Sequence, residues 1–298
     1  MIKINNLEFN IYNNVKEYWI NILDLPKWNF TYYEENITED PTYILLFEHC
    51  YHQAFGHWVY ESGIFLQYYN ELQKELDKPL KLFIINKPSR SYKKLFLNFY
   101  GIKEEDLIYC DHELKHNDYD DNWLKRFNVT LPENNICITT PVVTYNNLPS
   151  NIIPIPIEDF KQRIYDFRNS LLKNIKIDIN KIEWLFLPRA TKENYKPNDR
   201  KINYSGIYNF LKDKNYVEYD VMNTKDLINQ IELVRSAKNI ILDYGASFCV
   251  NGLFCENQNI YLTSRINHTE QLCSKTLFKI IMEKNNVYDF NSKHKYIL

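Results

Sequence analysis

A chain of 298 residues with 45% hydrophobic, 25% charged and 15% aromatic residues can bury sizeable cores, which excludes a disordered or collagen-like polymer. A formal net charge of -2 excludes the whole-protein field that gathers nucleic acid or anionic membrane non-specifically, so any anion it binds must meet a local site. The length exceeds one ordinary domain of about 100 to 200 residues and suits two lobes.

The N-terminal stretch MIKINNLEFNIYNNVKEYW has no uninterrupted apolar run of the roughly 7 to 15 residues that a signal peptide needs, and no later window approaches roughly 18 apolar residues. The expectation is a cytoplasmic chain with neither export signal nor membrane span. In the first half, short apolar runs predict strands at Tyr43 to Phe47, Leu80 to Ile85, Leu107 to Cys110 and Ile136 to Thr139. Helical spacing predicts helices near His57 to Leu76 and Ser91 to Phe99. The segment Leu148 to Ile157 carries Pro149, Pro154 and Pro156, which forbid regular helix and remove ladder donors. It reads as an extended connector, dividing a lobe over 1–157 from a lobe over 158–298, with a bridging helix from about Glu158 to Asn174.

The second half alternates more clearly: strand Trp184 to Leu187, helix Tyr204 to Asp213, strand Val217 to Val221, helix Thr224 to Ala237, strand Asn239 to Leu242, then helix and strand through Ile260 to Thr263. A closing amphipathic stretch, Gln271 to Glu283, has Leu272, Leu277, Ile280 and Ile281 at helical spacing and is expected to pack back on the first lobe. The class is α/β, with two Rossmann-like lobes. Cys50, Cys110, Cys137, Cys249, Cys255 and Cys273 lie in apolar segments without CxxC spacing, as expected of reduced thiols in a cytosolic protein. Sequons at Asn29, Asn36, Asn128, Asn203 and Asn267 carry no weight, because an Asn-rich chain produces them by chance.

Three constellations could carry chemistry. In Ile240-Ile241-Leu242-Asp243-Tyr244-Gly245-Ala246-Ser247-Phe248, an apolar strand ends on an acid, a glycine and two small residues before a new helix. Such an exit lets a ligand approach the backbone and offers free N–H groups and a positive dipole end to a diphosphate. An ordinary tight turn between strand and helix has the same composition. In Leu185-Phe186-Leu187-Pro188-Arg189 a strand delivers an arginine at its carboxyl end, followed by Arg200-Lys201-Ile202-Asn203; a guanidinium fork can hold phosphate oxygens bidentately, although a plain surface arginine would look alike. Gly56-His57-Trp58-Val59-Tyr60-Glu61 opens a helix and sets His57 and Glu61 on one face, where a structural histidine is the plain alternative.

The order of these pieces, HW followed by E, then FLPR, then R-x-I-N, then a helix carrying Gln230 and ending Arg235-Ser236-Ala237, then an apolar strand into x-Gly-Ala, resembles glycosyltransferase family 61. That family includes plant xylosyltransferases and animal enzymes that add N-acetylglucosamine to protein-linked O-glycans. The resemblance spans roughly Tyr43 to Thr263 and is densest from Trp184 to Phe254. It implies a GT-B architecture, two Rossmann-like lobes facing across a cleft, with the acceptor on the first lobe and the nucleotide-sugar on the second. It implies inverting transfer from a nucleoside-diphosphate sugar, UDP-linked, to a glycan or glycoprotein hydroxyl, with no metal and no cofactor; a homodimer is compatible with it. The resemblance puts Arg189, Arg200 and Asn203 on the donor side, Gly245 and Ala246 under the diphosphate, and His57 and Glu61 opposite them; Tyr244 and Ser247, on the same turn, complete the candidate donor-binding set. His57 is placed as the proton acceptor with Glu61 as its orienting partner, and Asp243 or Glu61 itself is the alternative acceptor. Two positions depart from the family: Tyr244 stands where histidine is usual, and Tyr204 where an acid commonly follows the asparagine.

Rival signals exist. His112-Glu113-Leu114-Lys115-His116 fits H-E-x-x-H, the zinc-hydrolase pattern, but that pattern needs a buried helix, and the flanking Asp111 and Asn117 to Asn122 favour turn or loop. Asp118 and Asp120 in the same run form a D-x-D pair able to hold a metal-bridged donor. With 24 Tyr and 17 Phe beside many Asn and Asp, a non-catalytic carbohydrate-binding protein is the non-enzymatic alternative.

Overall fold

Consecutive apolar residues that are buried on both faces of a strand favour parallel pairing under helical cover, and this chain builds two sheets of that kind. The computed structural model describes residues 1–4, 7–18, 28–33, 40–46, 58–85, 91–112, 127–140, 156–173, 175, 181–188, 204–220, 226–263 and 272–296. The chain divides into two compact units, the first reaching to Phe160 and the second beginning at Lys161. Both are α/β.

The first unit contains β1 (Ile2–Ile4), β2 (Leu7–Tyr12), β3 (Trp28–Tyr33), β4 (Thr42–Leu46), α1 (Tyr69–Leu76), β5 (Leu80–Ile85), α2 (Ser91–Phe99), β6 (Leu107–His112), β7 (Phe127–Pro132) and β8 (Asn135–Thr139). Its sheet runs β1-β2-β8-β4-β5-β6-β7-β3. The centre, β8-β4-β5-β6, is parallel, and Ile44 to Leu46, Leu82 to Ile84, Cys137 and Ile138 fill it. These are the four strands that the apolar runs predict. β2 and β7 add antiparallel neighbours on either side of them. A helical turn at Val15–Glu17 is tied to β8 by buried Asn135, whose Oδ1 accepts the Val15 N–H at 3.0 Å while Nδ2 donates to the Pro132 carbonyl at 2.8 Å. The helix expected from His57 onward winds in three ways: a wide π turn over Trp58–Ser62, a tight 3-10 stretch over Gly63–Tyr68, and then α1.

The second unit contains α3 (Ile157–Leu172, whose first turn belongs to the first unit), β9 (Ile182–Leu187), α4 (Ser205–Leu211), β10 (Tyr216–Glu218), α5 (Leu227–Ser236), β11 (Ala237–Leu242), α6 (Ala246–Phe254), β12 (Asn259–Leu262), α7 (Leu272–Lys284) and β13 (Asn286–Asp289). Every strand pair is parallel and the order is β10-β9-β11-β12-β13, one of the two common orders of doubly wound sheets. The sheet therefore grows outward from β9 to β10, then crosses back and grows the other way from β11. α5 packs over β9 and β11 and against α6, which packs against α7. The opposite face carries Trp184, Phe186 and Ile241 under Ile207 and Leu211 of α4, with Phe290. α7 is thus the crossover into a fifth strand, one element beyond the closing helix that the sequence pattern predicts.

Three features lock this lobe. A Cβ at Gly252 would lie 2.7 Å from Ile281 Cδ1, so the α6–α7 contact requires glycine there. Asn239, Asn259 and Asn286 stand in register on β11, β12 and β13; Asn259 Nδ2 donates to Asn239 Oδ1 at 3.0 Å and Asn286 Nδ2 to Asn259 Oδ1 at 3.3 Å, which fixes strand register at the amino end of the sheet. At the end of α6, Arg168 and Arg235 converge on Glu256 at 3.1 and 2.9 Å, while Arg168 Nε donates to the Leu253 carbonyl at 2.7 Å. Burial alone would raise the Glu256 carboxyl, but the two guanidinium groups outweigh it and hold the group below its ordinary range.

Cys137, Cys249 and Cys255 are buried and in no disulfide, and burial pushes the Cys255 thiol up to about 12. Among the described residues, no helix is long and apolar enough to cross a membrane.

Candidate functional site

In an open parallel sheet the ligand crevice forms beyond the carboxyl ends of the strands, where two neighbouring strands send their connections in opposite directions. In the second unit that point lies between β9 and β11. The strand ends there are Leu187 and Leu242, in register with each other, and the residues that follow β11 are Asp243, Tyr244 and Gly245.

Asp243 is 5% exposed, and both carboxyl oxygens are engaged. Oδ2 accepts from the Tyr204 hydroxyl, just before α4, and Oδ1 accepts from the Thr263 hydroxyl, just after β12. One carboxyl group thus fastens the exits of β11 and β12 and the entrance of α4. The Thr263 N–H, donated to the Leu242 carbonyl at 3.1 Å, continues the β11–β12 ladder to this point. The Tyr244 ring packs on Phe248 (5.8 Å between centroids) and meets Phe278 edge-on at 6.4 Å, which anchors the start of α6 to α7.

Gly245 takes φ 114° and ψ -141°, a conformation essentially closed to other residues, and an added Cβ there would meet nothing within 4 Å. It caps α6 with backbone alone: the first helical bond is Cys249 N–H to the Gly245 carbonyl at 2.9 Å, and no side chain caps the helix. The amides of Ala246, Ser247 and Phe248 precede that bond, so they are the orphan donors of the helix start. Ser247 Oγ accepts from Asn251 Nδ2 at 3.3 Å, and Asn251 Oδ1 accepts from Gln230 Nε2 at 2.7 Å. The fold therefore brings Asp243, Tyr244, Gly245, Ala246 and Ser247 to one turn at the switch point.

Arg189, Arg200 and Asn203 lie outside the described residues; Arg189 follows the last described residue after β9, Pro188. His57 also lies outside them, as do Glu113 to His116, Asp118 and Asp120. Glu61 is part of the π turn at Trp58–Ser62. His112 is the last residue of β6 and pairs with Phe127, so the H-E-x-x-H segment begins in a strand and not in a helix. Against Trp58 the structure adds a residue that pattern reading missed: buried Lys93 places Nζ 5.5 Å from the centre of the Trp58 ring. Only the helical spacing of α2 could have pointed to it.

A cavity of about 550 Å³ opens at the amino end of the same sheet, lined by Asn257, Glu283, Asn285, Asn286 and Lys295. The Asn285 amide is already committed, donating to the Ile281 carbonyl at 2.9 Å and accepting the Gln258 N–H at 3.1 Å. None of the candidate residues among the described ones lines it. The site thus belongs to a doubly wound α/β lobe with a backbone-built turn at its topological switch point. In comparisons with known proteins the chain matches no family model and no curated protein.

Proposed function

We propose that this chain is an inverting glycosyltransferase of the GT-B type that holds a nucleoside-diphosphate sugar at the carboxyl edge of its second sheet. The observation that carries the reading is the uncapped start of α6 at the β9/β11 switch point, entered through a glycine at φ 114°. Free amides and the helix dipole there suit a diphosphate, and the motif order that resembles glycosyltransferase family 61 supplies the sugar chemistry.

In the proposed reaction the acceptor hydroxyl oxygen forms its bond to the anomeric carbon on the face opposite the diphosphate. The bond from that carbon to the diphosphate oxygen breaks, and the leaving group takes both electrons. The hydroxyl proton passes to His57, which Glu61 orients; Asp243, with both oxygens already accepting hydroxyl hydrogens, holds the turn in place. Arg189 and Arg200, with the amides of Ala246 and Ser247, meet the charge that develops on the diphosphate, and Asn203 contacts the donor. One well-aimed donor to developing charge contributes about 2.7 to 4 kcal/mol, so no divalent cation is needed in this scheme.

The test is incubation with a panel of nucleoside-diphosphate sugars, UDP-linked ones first, and glycan or glycopeptide acceptors in EDTA. One donor is expected to be consumed, with the new bond carrying the inverted anomeric configuration by NMR. Loss of transfer in EDTA and its recovery with manganese would move the diphosphate to Asp118 and Asp120. Glycan binding with no nucleotide bound at all would make the chain a non-catalytic carbohydrate-binding protein.

A further inference from the structure

Behind the turn lies a polar relay in an otherwise apolar interface between α5 and α6. Gln230 and Asn251 are 2% and 0% exposed, and a buried amide must place its donor end and its acceptor end each against a suitable partner. Gln230 Nε2 donates to Asn251 Oδ1 at 2.7 Å, which fixes the orientation of the Asn251 amide. Asn251 Nδ2 therefore faces Ser247 and donates to its carbonyl at 3.0 Å and to its Oγ at 3.3 Å. Because Oγ accepts from this side, its own hydrogen is directed away from Asn251, and no acceptor for it occurs among the described residues.

We propose that the Gln230–Asn251 pair is a positioning device that keeps the Ser247 hydroxyl a hydrogen-bond donor toward the diphosphate at the start of α6, an inference that rests on the functional reading above. Neither amide touches the ligand; they set the direction of a hydroxyl that does. Reversing the relay should reverse that direction. In Gln230→Glu an acceptor replaces the donor, so the Asn251 amide turns over: Nδ2 faces the introduced carboxylate, the bond to the Ser247 carbonyl is given up, and Oδ1 faces Ser247 Oγ. The Ser247 hydrogen is then drawn inward, leaving oxygen lone pairs toward the anion.

The experiment is calorimetric titration of the full chain with UDP, GDP, ADP and CDP, using the tightest binder for the variants. Ser247→Ala is expected to weaken that binding about tenfold or more, the weight of one hydrogen bond to a charged group. Gln230→Glu should weaken it by at least as much, and should add nothing in the Ser247→Ala background. Since a buried glutamate can prevent folding, Gln230→Met, which removes the donor at similar volume, gives a second measure: a smaller loss, again absent when Ser247 is already alanine. A purely structural glutamine would lower the melting temperature without this dependence on Ser247. The proposal is overturned if cooperatively melting Gln230 variants bind as tightly as the parent, or if their losses add in full to that of Ser247→Ala. If the parent chain binds none of the four nucleotides, the functional reading fails and this inference fails with it; if affinity responds to Ser247 but not to Gln230, only the positioning role fails.

Discussion

Replacing Asp243 with alanine is expected to lower the melting temperature of the second unit by on the order of 10 °C, which is large for a residue at the end of a strand. The side chain is 5% exposed and is the acceptor for two hydroxyl groups, those of Tyr204 and Thr263. Hydrogen bonds to a charged group contribute about 1.5 to 3 kcal/mol each, and an orphaned donor keeps its desolvation cost. Relief from desolvating the carboxyl group offsets part of that loss, so the net cost is about 2 to 4 kcal/mol. Tyr204→Phe alone should cost about 1.5 to 3 kcal/mol, the weight of the one bond it removes. In the double variant the two effects should couple by at least about 0.5 kcal/mol, because the residues share a bond. An Asp243→Ala protein melting within about 2 °C of the parent would contradict the fastening role.

Gly245→Ala is expected to cost about 1 to 3 kcal/mol of stability or to force the turn into another conformation, because φ 114° with ψ -141° is essentially glycine's alone. Steric clash is not the cause, as an added Cβ meets nothing within 4 Å. Binding should suffer too: amides re-aimed by a changed turn no longer converge, and nucleoside-diphosphate affinity should fall about tenfold or more. Gly206, in the first turn of α4, is the control. A Cβ there also meets nothing within 4 Å, but no positive φ is required, so Gly206→Ala should leave binding unchanged and stability equal or higher. Equal behaviour of the two variants in binding and melting would remove the argument from Gly245.

What could be read in advance follows the physics of each element. β5 and α2 fall on the residues that the pattern predicts, Leu80–Ile85 and Ser91–Phe99, because a continuous apolar run and a helical period are local signals. β13 was not legible: Asn286, Val287, Tyr288 and Asp289 hold few apolar residues, and the strand forms through its register with β12 and the asparagine ladder. β2 alternates buried Leu7 and Phe9 with exposed Glu8 and Asn10 over a few residues, too short a run to separate from loop without its partner β8. The Gly245 turn was legible because a strand, a glycine and small residues are adjacent in sequence. The partners of Asp243 were not, since Tyr204 and Thr263 lie 39 and 20 positions away and meet it only once the crossovers close. Gln230 was visible as a single residue, but its contact with Asn251 depends on how α5 packs against α6. His57, Arg189, Arg200 and Asn203 lie outside the described residues, so their roles stand on the motif order.

The central claim is that a diphosphate sits on the first turn of α6, and amide hydrogen exchange with and without UDP measures it directly. The amides of Ala246, Ser247 and Phe248 precede the first helical bond, made by Cys249 to Gly245, and so exchange fast in the free chain. Saturating UDP is predicted to slow all three by about tenfold or more, with the cavity lined by Asn257 and Asn285 unaffected. Calorimetrically confirmed UDP binding that leaves those three amides exchanging at their free rates, with protection appearing elsewhere, would contradict the account.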